Sequence, residues 1–404
     1  MLLVSAVIAS AQINLHALDV HAQQANTTSA NATSANATSA NATSANATSA
    51  NTASSSGSYA GINMRGQYTN KVEQRDVRPK IPANYYDDSF KAISQSGMNL
   101  VRYLFTWEAY EKNPSLFINE LNTVAKTADK WGLKLIYTND QYHTSSWLDP
   151  DKGYGFPSSL FTGSPTYPKD SWPDSAEKWW TDLFNRSIKD SKGADAWTLQ
   201  ADFLKKIVSA VNNHKSTLGY EILNEPHVYS IDQWEKVGSY NTFIADQLRK
   251  VTQKTIVFDR QDSPDLGGPV GITPENIAKM APDNKNNVIM KVTLFGVPTP
   301  GTDAGKRLDT YVKAAQIAGV PLCVCEFNIK QYGKDKGSLQ LIDQKLVNLF
   351  VEKFKESKLW GWAIWIWDFS ARSNANYNLV SFKSGTMETS QNFDYIKNAI
   401  ANNK

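Results

Sequence analysis

The sequence predicts a (β/α)₈ TIM barrel, in which eight parallel strands close into a cylinder inside a ring of helices. Eight short runs rich in β-branched and aromatic residues follow one another between Tyr59 and Trp367. Segments with apolar residues at helical spacing lie between these runs. Residues 58–404 are too many for a small module and suit one large α/β barrel domain.

The eight strands are expected where apolar runs stand between turn-forming residues. In chain order they are AGINM (60–64), NLVRYLF (99–105), LKLIYTN (133–139), LGYEILN (218–224), KTIVFDR (254–260), NVIMKVTLF (287–295), PLCVCEF (321–327) and GWAIWIW (361–367). Helical patterns precede several of them, for example SFKAISQSG before the second strand. Strands that alternate with crossover helices form a parallel sheet.

The longest interruption of this pattern runs from Gln141 to Ala194, after the third strand. It is rich in Pro, Gly, Ser and Trp. Long loops in a compact domain are usually functional, and a loop that follows a barrel strand lies at the catalytic end. We expect this loop to form one wall of a cleft.

The N-terminal residues do not fit the barrel pattern. Residues 2–10 form a short apolar stretch, and Val20, His21 and Ala22 offer a small-residue cleavage pattern. The stretch is too short to span a membrane, so residues 1–22 are predicted to be a signal peptide and the protein to be secreted or located at the cell surface.

Residues 23–57 contain repeats of NATSA, with no apolar side chain larger than alanine among the repeats. Such a segment cannot offset the entropy cost of ordering, so we predict a disordered linker. Its Asn-x-Thr acceptors are Asn26, Asn31, Asn36, Asn41 and Asn46. A glycosylated stalk and a simple spacer that expanded by replication slippage are both open interpretations.

Charge and aromatic content narrow the class of partner. The formal net charge is +3, from 42 basic and 39 acidic residues that are interspersed, which argues against a nucleic-acid-binding surface. Twelve Trp and 17 Tyr exceed what a core of this size usually needs, and flat apolar rings suit the CH faces of sugars. We expect a polysaccharide or oligosaccharide partner.

The chain has two cysteines, Cys323 and Cys325, both in the strand that leads to Glu326. Strand alternation predicts that Val324 and Leu322 share the inward face with Glu326 and that both cysteines face the outer helices. Two ligands are too few for a metal site, and a disulfide across two residues of a strand would be strained. We therefore predict buried free thiols.

Two glutamates stand where strands end. Glu225 follows the fourth strand and Glu326 ends the seventh, so both belong at the barrel mouth, where barrel enzymes carry their reactive groups. A retaining glycosidase needs one ionised carboxylate and one protonated carboxylic acid. Arg102 faces inward by strand alternation and is expected to keep the attacking carboxylate ionised. Glu221 lies deeper in the fourth strand and is predicted to pair with Arg102 or Lys291.

The segment ILNEPH, the glutamate that ends strand 7, Arg102 and Trp365 together resemble glycoside hydrolase family 5, the cellulase family, over nearly all of residues 59–400. The resemblance implies a barrel with Glu225 as acid/base and Glu326 as nucleophile.

The resemblance also assigns residues that bind substrate. It implies that Asn224 hydrogen-bonds the sugar 2-hydroxyl and that Trp365 forms the stacking floor under the attacked sugar. His143, after strand 3, is similar to a histidine of the family. Trp107, Trp147, Trp172 and Trp367 fall at or after strand ends and are candidate sugar platforms. Asp140, Asp259 and Asp368 also end strands and are expected to support the site or cap loops.

One position departs from the family. His-x-Tyr is usual at the end of strand 6, where the tyrosine hydroxyl steadies the nucleophile, but Thr293 and Phe295 stand here. Either Tyr332 supplies the hydroxyl or the alignment of strand 6 is off by a residue or two. Loss of one such donor costs about 2–4 kcal/mol of transition-state stabilisation, so weakened activity is expected.

These observations predict a secreted, monomeric, retaining endo-β-glycanase that needs no metal or organic cofactor. Cellulose-type β-1,4-glucan is the first substrate considered and β-mannan the second, with xylan and β-1,3-glucan open. The alternative is a cell-surface glycan-binding protein that kept the barrel and lost turnover.

Overall fold

The computed structural model describes residues 58–70, 81–260, 271–328, 343–368 and 377–403. Its centre is a closed barrel in which eight strands pair in chain order, all in parallel, and the eighth pairs with the first. The barrel strands are β1 (Tyr59–Arg65), β2 (Leu100–Phe105), β3 (Lys134–Asn139), β4 (Thr217–Glu221), β5 (Thr255–Arg260), β6 (Val288–Phe295), β7 (Leu322–Asn328) and β8 (Gly361–Ile364). The predicted TIM barrel is confirmed.

Helices cover the outside of the barrel and connect its strands. They are α1 (Tyr85–Gln95), α2 (Trp107–Lys112), α3 (Pro114–Trp131), α4 (Ala176–Phe184), α5 (Ala196–Val211), α6 (Gln233–Arg249), α7 (Pro274–Ala278), α8 (Asp303–Ala318), α9 (Gln344–Glu356) and α10 (Gln391–Asn402). A hairpin of β9 (Val380–Lys383) and β10 (Thr386–Thr389) precedes α10.

Local sequence explains where these helices begin and end. The Asn113 side chain accepts a hydrogen bond from the Leu116 N–H at the start of α3, and Pro114 occupies the first turn, where its missing N–H costs nothing. Gly132 ends the same helix in the left-handed conformation that glycine tolerates, with φ of 70°.

The barrel has a small apolar interior and a larger outer core. Leu100 of β2 and Val257 of β5 belong to the interior cluster, whereas the neighbouring Val101 and Phe258 pack in the outer core with the helices. The remaining buried members of the interior cluster are Ile136, Ile289, Cys323, Cys325 and Ala363. This layer lies below the polar side chains at the barrel mouth.

The prediction for the cysteines is wrong in two respects. Cys323 and Cys325 belong to the interior cluster, while Val324 packs in the outer core. The register between β6 and β7 shifts within this stretch, so that Glu326 pairs with Thr293. A β-bulge adds one residue and breaks strict alternation, which lets Cys325 and Glu326 both face inward. The two cysteines are joined by a disulfide with Cα atoms 5.1 Å apart, a separation that disulfides commonly show.

The segment between β3 and α5 is more ordered than a simple loop. It contains α4 and a 3₁₀ turn at Ser158–Leu160. Trp179 and Trp180 of α4 are fully buried, so this segment carries its own apolar packing. The order explains how a long insertion holds a fixed position beside a site.

The predicted signal peptide (1–22), the linker (23–57) and Tyr332 lie outside the described residues. None of the helices in the described part of the chain combines the length and apolar character needed to cross a membrane.

Candidate active site

Arg102 is the centre of the polar layer above the apolar interior. Its Nε and Nη2 donate to the two oxygens of Glu221 at 2.7 and 2.6 Å, and Nη2 also donates to Asn224 Oδ1 at 2.7 Å. Nη1 donates to Asn63 Oδ1 at 2.8 Å and to Glu326 Oε2 at 3.0 Å. All five guanidinium hydrogens have acceptors, which fixes the side chain without freedom to rotate. The predicted pairing with Glu221 is confirmed.

Asn63 belongs to this layer although sequence reasoning did not select it. Its Nδ2 donates to the carbonyl oxygens of Cys325, Ala363 and Ile364 at 3.1, 3.2 and 3.1 Å. The carbonyl groups thus orient the Asn63 amide, and its oxygen is left to accept from Arg102. Asn63 therefore ties β1 to β7 and β8 beneath the site.

Lys291 of β6 is a second buried cation in the same layer. Its Nζ lies 2.8 Å from Asp259 Oδ2, 2.9 Å from Thr293 Oγ1, and 3.1 Å from both Asn224 Oδ1 and Glu326 Oε2. The side chains of Lys291 and Asp259 are completely shielded from solvent. Burial alone would lower the pKa of Lys291, but the charges of Asp259 and Glu326 outweigh it and the pKa is raised.

One carboxylate oxygen of Glu326 accepts hydrogen bonds from two cations. Arg102 and Lys291 each contact Oε2, and within the described ranges nothing donates to Oε1. The side chain is 8% exposed. Burial favours the neutral acid, but the positive charges of Lys291 and Arg102 outweigh it and hold the pKa of Glu326 below its usual value. Glu326 is therefore an ionised carboxylate with one oxygen available.

Glu225 lies just beyond the end of β4, where two side chains hydrogen-bond to its backbone N–H and carbonyl oxygen. Its N–H donates to Asp259 Oδ2 at 2.6 Å, and its carbonyl oxygen accepts from Gln141 Nε2 at 2.9 Å. Its φ of 44° falls in the left-handed region, which is uncommon for a residue with a side chain. These two hydrogen bonds hold the strained conformation in place.

The pKa of the Glu225 carboxyl group is shifted in the opposite direction to that of Glu326. Its Oε1 accepts from the Thr293 hydroxyl at 2.6 Å. Burial, and then the negative charge of Glu326, raise its pKa to about 8. The pKa values of the two carboxyl groups are thus displaced in opposite directions, which favours a protonated acid at Glu225 and an ionised carboxylate at Glu326.

Asn224 is held between donors on one side and acceptors on the other. Its oxygen accepts from Arg102 and Lys291, while its Nδ2 donates to Asp140 Oδ1 at 3.1 Å and to the Gln141 carbonyl oxygen at 3.3 Å. Asp140 in turn accepts from Arg65 and Asn70. The expectation that Asp140 and Asp259 support the site agrees with these contacts.

His143 and Trp172 lie in the long segment after β3 and form an aromatic stack. Their ring centroids are 4.5 Å apart, and His143 Nδ1 contacts Asp149 Oδ2 at 2.6 Å. Trp172 also meets the edge of His227, two residues after Glu225, at 6.3 Å. Burial, and then the neighbouring His143, lower the pKa of His227 to about 3, so this ring is neutral.

Trp365 follows the end of β8 and packs with Leu104, Ile366 and Tyr377. The Arg65 guanidinium carbon lies 5.2 Å from its ring centroid. Trp147 is half-buried, and its indole N–H donates to the Tyr167 carbonyl oxygen at 3.0 Å. The roles in sugar binding predicted for Trp365 and Trp147 remain predictions.

Two tryptophans predicted as sugar platforms lie in the core instead. Trp367 is fully buried, and its indole N–H donates to Ser89 Oγ at 2.9 Å. Trp107 is buried in α2, where its ring stacks on Phe203 at 5.3 Å. Their faces are covered by protein, so the prediction for Trp107 and Trp367 is wrong. Asp368 accepts from the Tyr85 hydroxyl and anchors the chain after β8 to α1.

A parallel barrel that carries two such carboxyl groups at the ends of β4 and β7 has the layout of a glycosidase site. The model of the cellulase family, glycosyl hydrolase family 5, matches residues 56–371. The chain therefore belongs to this family of hydrolases that act on glycosidic bonds.

Solved structures agree on the fold. An endogalactoceramidase is similar with a TM-score of 0.62 and 14% identity, over 85% of this chain and 80% of that chain. Endo-glycoceramidase II from Rhodococcus sp. gives 0.60 and 14%, over 84% and 78%. An endoglucanase from Pseudomonas stutzeri gives 0.54 and 15%, over 86% and 95%. No curated protein sequence matches the chain.

Proposed function

We propose that the protein is a retaining endo-β-glycanase with Glu326 as nucleophile and Glu225 as acid/base. The observation that carries this proposal is the placement of the two carboxyl groups at the barrel mouth. Glu326 contacts both Lys291 and Arg102, whose charges outweigh burial and lower its pKa. Glu225 accepts from the Thr293 hydroxyl, and burial raises its pKa to about 8. Between these values the pair holds one negative charge and one proton, which is the state that a double displacement requires.

The first step joins the sugar to the protein. Glu326 Oε1 bonds to the anomeric carbon as the glycosidic carbon–oxygen bond breaks, and Glu225 gives its proton to the leaving oxygen. In the second step water bonds to the same carbon, Glu225 takes a proton from it, and the ester bond to Glu326 breaks. Two inversions retain the anomeric configuration.

The proposed substrate is cellulose-type β-1,4-glucan, with β-1,4-mannan the nearest alternative. The cellulase family supports the linkage class, and the stack of Trp172 and His143 beside the Glu225 segment supports binding of an extended sugar chain. Asn224 and Trp365 are proposed to contact the sugar that is attacked, and Trp147 a further sugar.

Reducing-sugar release tests the enzyme and its substrate together. The panel contains soluble β-1,4-glucan, β-mannan, xylan and β-1,3-glucan. A β-glucosylceramide is added because the similar structures include an endogalactoceramidase and an endo-glycoceramidase. Release from β-1,4-glucan, abolished in Glu326→Gln, is the expected result. Viscosity that falls before most reducing ends appear identifies endo action, and proton NMR of the first product identifies retention.

The glycan-binding alternative gives a different result in the same panel. Binding without release, equal in wild type and Glu326→Gln, would refute the proposed hydrolase and support a binding protein. Release from mannan or the glycolipid alone would keep the mechanism and replace the substrate.

Export is also proposed, on the apolar stretch and small-residue pattern of residues 1–22. N-terminal sequencing of protein from a culture medium, expected to begin at residue 23, tests it. A mass shift after enzymatic removal of N-glycans would identify the linker as a glycosylated stalk, and sedimentation would test the predicted monomer.

A further inference from the structure

Lys291 is a buried cation in a strand that is otherwise almost entirely apolar up to Thr293. We propose that Lys291 is a positioning residue for glycoside cleavage, which acts on Glu326 directly and on Glu225 through the Thr293 hydroxyl. The inference rests on the proposed function and extends it to a residue that replaces the missing strand 6 tyrosine as the partner of the nucleophile.

The strand register explains why Lys291 reaches the site. It pairs with Asp259 on β5 and with Cys323 on β7, and its side chain has no solvent exposure. Ile289, two residues earlier, belongs to the apolar interior of the barrel. Alternation therefore sends Lys291 and Thr293 inward above that layer, in the direction of the two glutamates.

The direction of each hydrogen bond follows from chemistry. An ammonium group has three hydrogens and no acceptor, so Lys291 can only donate to the Thr293 oxygen, 2.9 Å away. The Thr293 hydroxyl hydrogen is then free for Glu225 Oε1 at 2.6 Å. Lys291 also contacts Glu326 Oε2 at 3.1 Å. One continuous chain thus links the two glutamates through a cation and a hydroxyl.

The charged groups around Lys291 show what its removal would change. Carboxyl groups surround it from three strands, with Asp259 on β5, Glu221 on β4 and Glu326 on β7, while Arg102 on β2 is the other cation. Burial raises the pKa of Glu225, just after β4, and the charge of Lys291 opposes that rise. Arg102 is divided between Glu221 and Glu326. Without Lys291, Glu326 keeps one shared cation in a buried setting, which favours its neutral form.

The first experiment measures kcat/KM against pH in the full chain with 2,4-dinitrophenyl β-cellobioside. This leaving group needs little protonation, so the acidic limb reports the ionisation of Glu326 in the free enzyme. Lys291→Met is expected to move that limb upward by about one pH unit, and so to lower kcat/KM roughly tenfold on it. Lys130→Met removes a surface ammonium and is the matched control.

A purely structural lysine gives another pattern. It would lower the amount of active protein equally at every pH and leave the limb where it is in wild type. An unmoved acidic limb in Lys291→Met, with folding shown by circular dichroism, would overturn the proposal.

Thr293→Val tests the other end of the chain and keeps the cation. The acidic limb is expected to stay at its wild-type pH, because Lys291 still contacts Glu326. The basic limb on a β-glucan oligosaccharide is expected to rise, because Glu225 loses a hydrogen bond that favours its ionised form. If Lys291→Met does not fold, Lys291→Gln, which removes the charge and keeps a polar side chain, takes its place, and an acidic limb unmoved in that variant would overturn the proposal.

A measurement without turnover separates this inference from the proposed function. In protein labelled with carboxyl-¹³C glutamate, the Glu326 signal is assigned by its loss in Glu326→Gln. Its titration is expected at higher pH in Lys291→Met than in wild type, and an identical titration would refute the role of Lys291. This result stands even if no glycoside is cleaved, in which case the proposed function alone fails.

Discussion

Replacement of Arg102 by methionine is expected to lower the free energy of unfolding by about 3–5 kcal/mol, because it leaves a buried carboxylate without its cation. The Arg102 and Glu221 side chains are both completely shielded from solvent, and two charge-assisted hydrogen bonds of 2.6 and 2.7 Å join them. The same substitution removes one of the two cations on Glu326. Methionine fills most of the volume, so the loss measures charge more than packing.

A double-mutant cycle with Glu221→Gln tests this reasoning. Glutamine keeps an acceptor for the Thr138 hydroxyl, which donates to Glu221 at 2.9 Å, and it removes the unpaired charge. The double variant is expected to be about 2 kcal/mol more stable than the sum of the single effects predicts. Urea denaturation followed by tryptophan fluorescence provides the four free energies. The exposed pair Lys130 and Asp87 is the control, with little coupling expected. Strict additivity at Arg102 and Glu221 would refute the reasoning.

Three further predictions concern activity. Hydrolysis of β-glucan is expected to slow above about pH 8, because Glu225 loses the proton that the leaving oxygen needs; a rate that stays level to about pH 10 would contradict this. Glu225→Gln is expected to slow β-glucan hydrolysis by about 10²- to 10⁴-fold while the pre-steady-state burst with a dinitrophenyl glycoside persists, and loss of both would argue against an acid role. Trp365→Ala is expected to raise KM and leave the fold intact. Trp107→Ala and Trp367→Ala are expected to lower the free energy of unfolding by about 3–5 kcal/mol and leave KM unchanged. Kinetics and urea denaturation of the same samples measure both quantities.

The barrel was predictable because strand periodicity is a local property of the chain. Each of the eight predicted runs overlaps one strand of the structure, with ends that differ by up to three residues. The largest differences are at β4, predicted to reach Asn224 but ending at Glu221, and at β8, predicted to reach Trp367 but ending at Ile364. Beyond Glu221 the chain loses regular strand geometry, although the Ile222 N–H still donates to the Val257 carbonyl oxygen. Glu225 then takes a positive φ that no periodic pattern reveals.

The errors arose where one local irregularity changes the facing of side chains. The bulge in β7 shifts alternation by one residue, and it reversed the predicted positions of Cys323 and Cys325. The sequence carries no glycine or proline there to mark it. Trp107 and Trp367 also fall near strand ends, but position along a strand does not tell which face a ring takes, and both turned into the core.

The departure at the end of β6 was visible in sequence, and its consequence was not. Thr293 and Phe295 were recognised as replacements for a histidine and a tyrosine, and a weaker site was the expectation. The sequence predicted a role for Lys291 only as a partner of Glu221. A lysine on the inward face of an apolar strand is itself a signal for a buried charge network. The structure also connects Lys291 to Glu326, the proposed nucleophile.

The two glutamates differ in protonation because both cations contact Glu326 and neither forms a hydrogen bond with Glu225. Arg102 and Lys291 each contact Glu326 Oε2, at 3.0 and 3.1 Å, whereas Glu225 accepts a hydroxyl hydrogen from Thr293. Attraction between charges falls with distance and is strong in a buried setting, so direct contact with both cations favours ionised Glu326. Burial and the negative charge of Glu326 raise the pKa of Glu225 and outweigh the more distant charge of Lys291, so Glu225 keeps its proton. Two residues on one face of β6 create this difference. Lys291 places a positive charge beside Glu326, whereas Thr293 gives Glu225 a neutral hydrogen-bond donor.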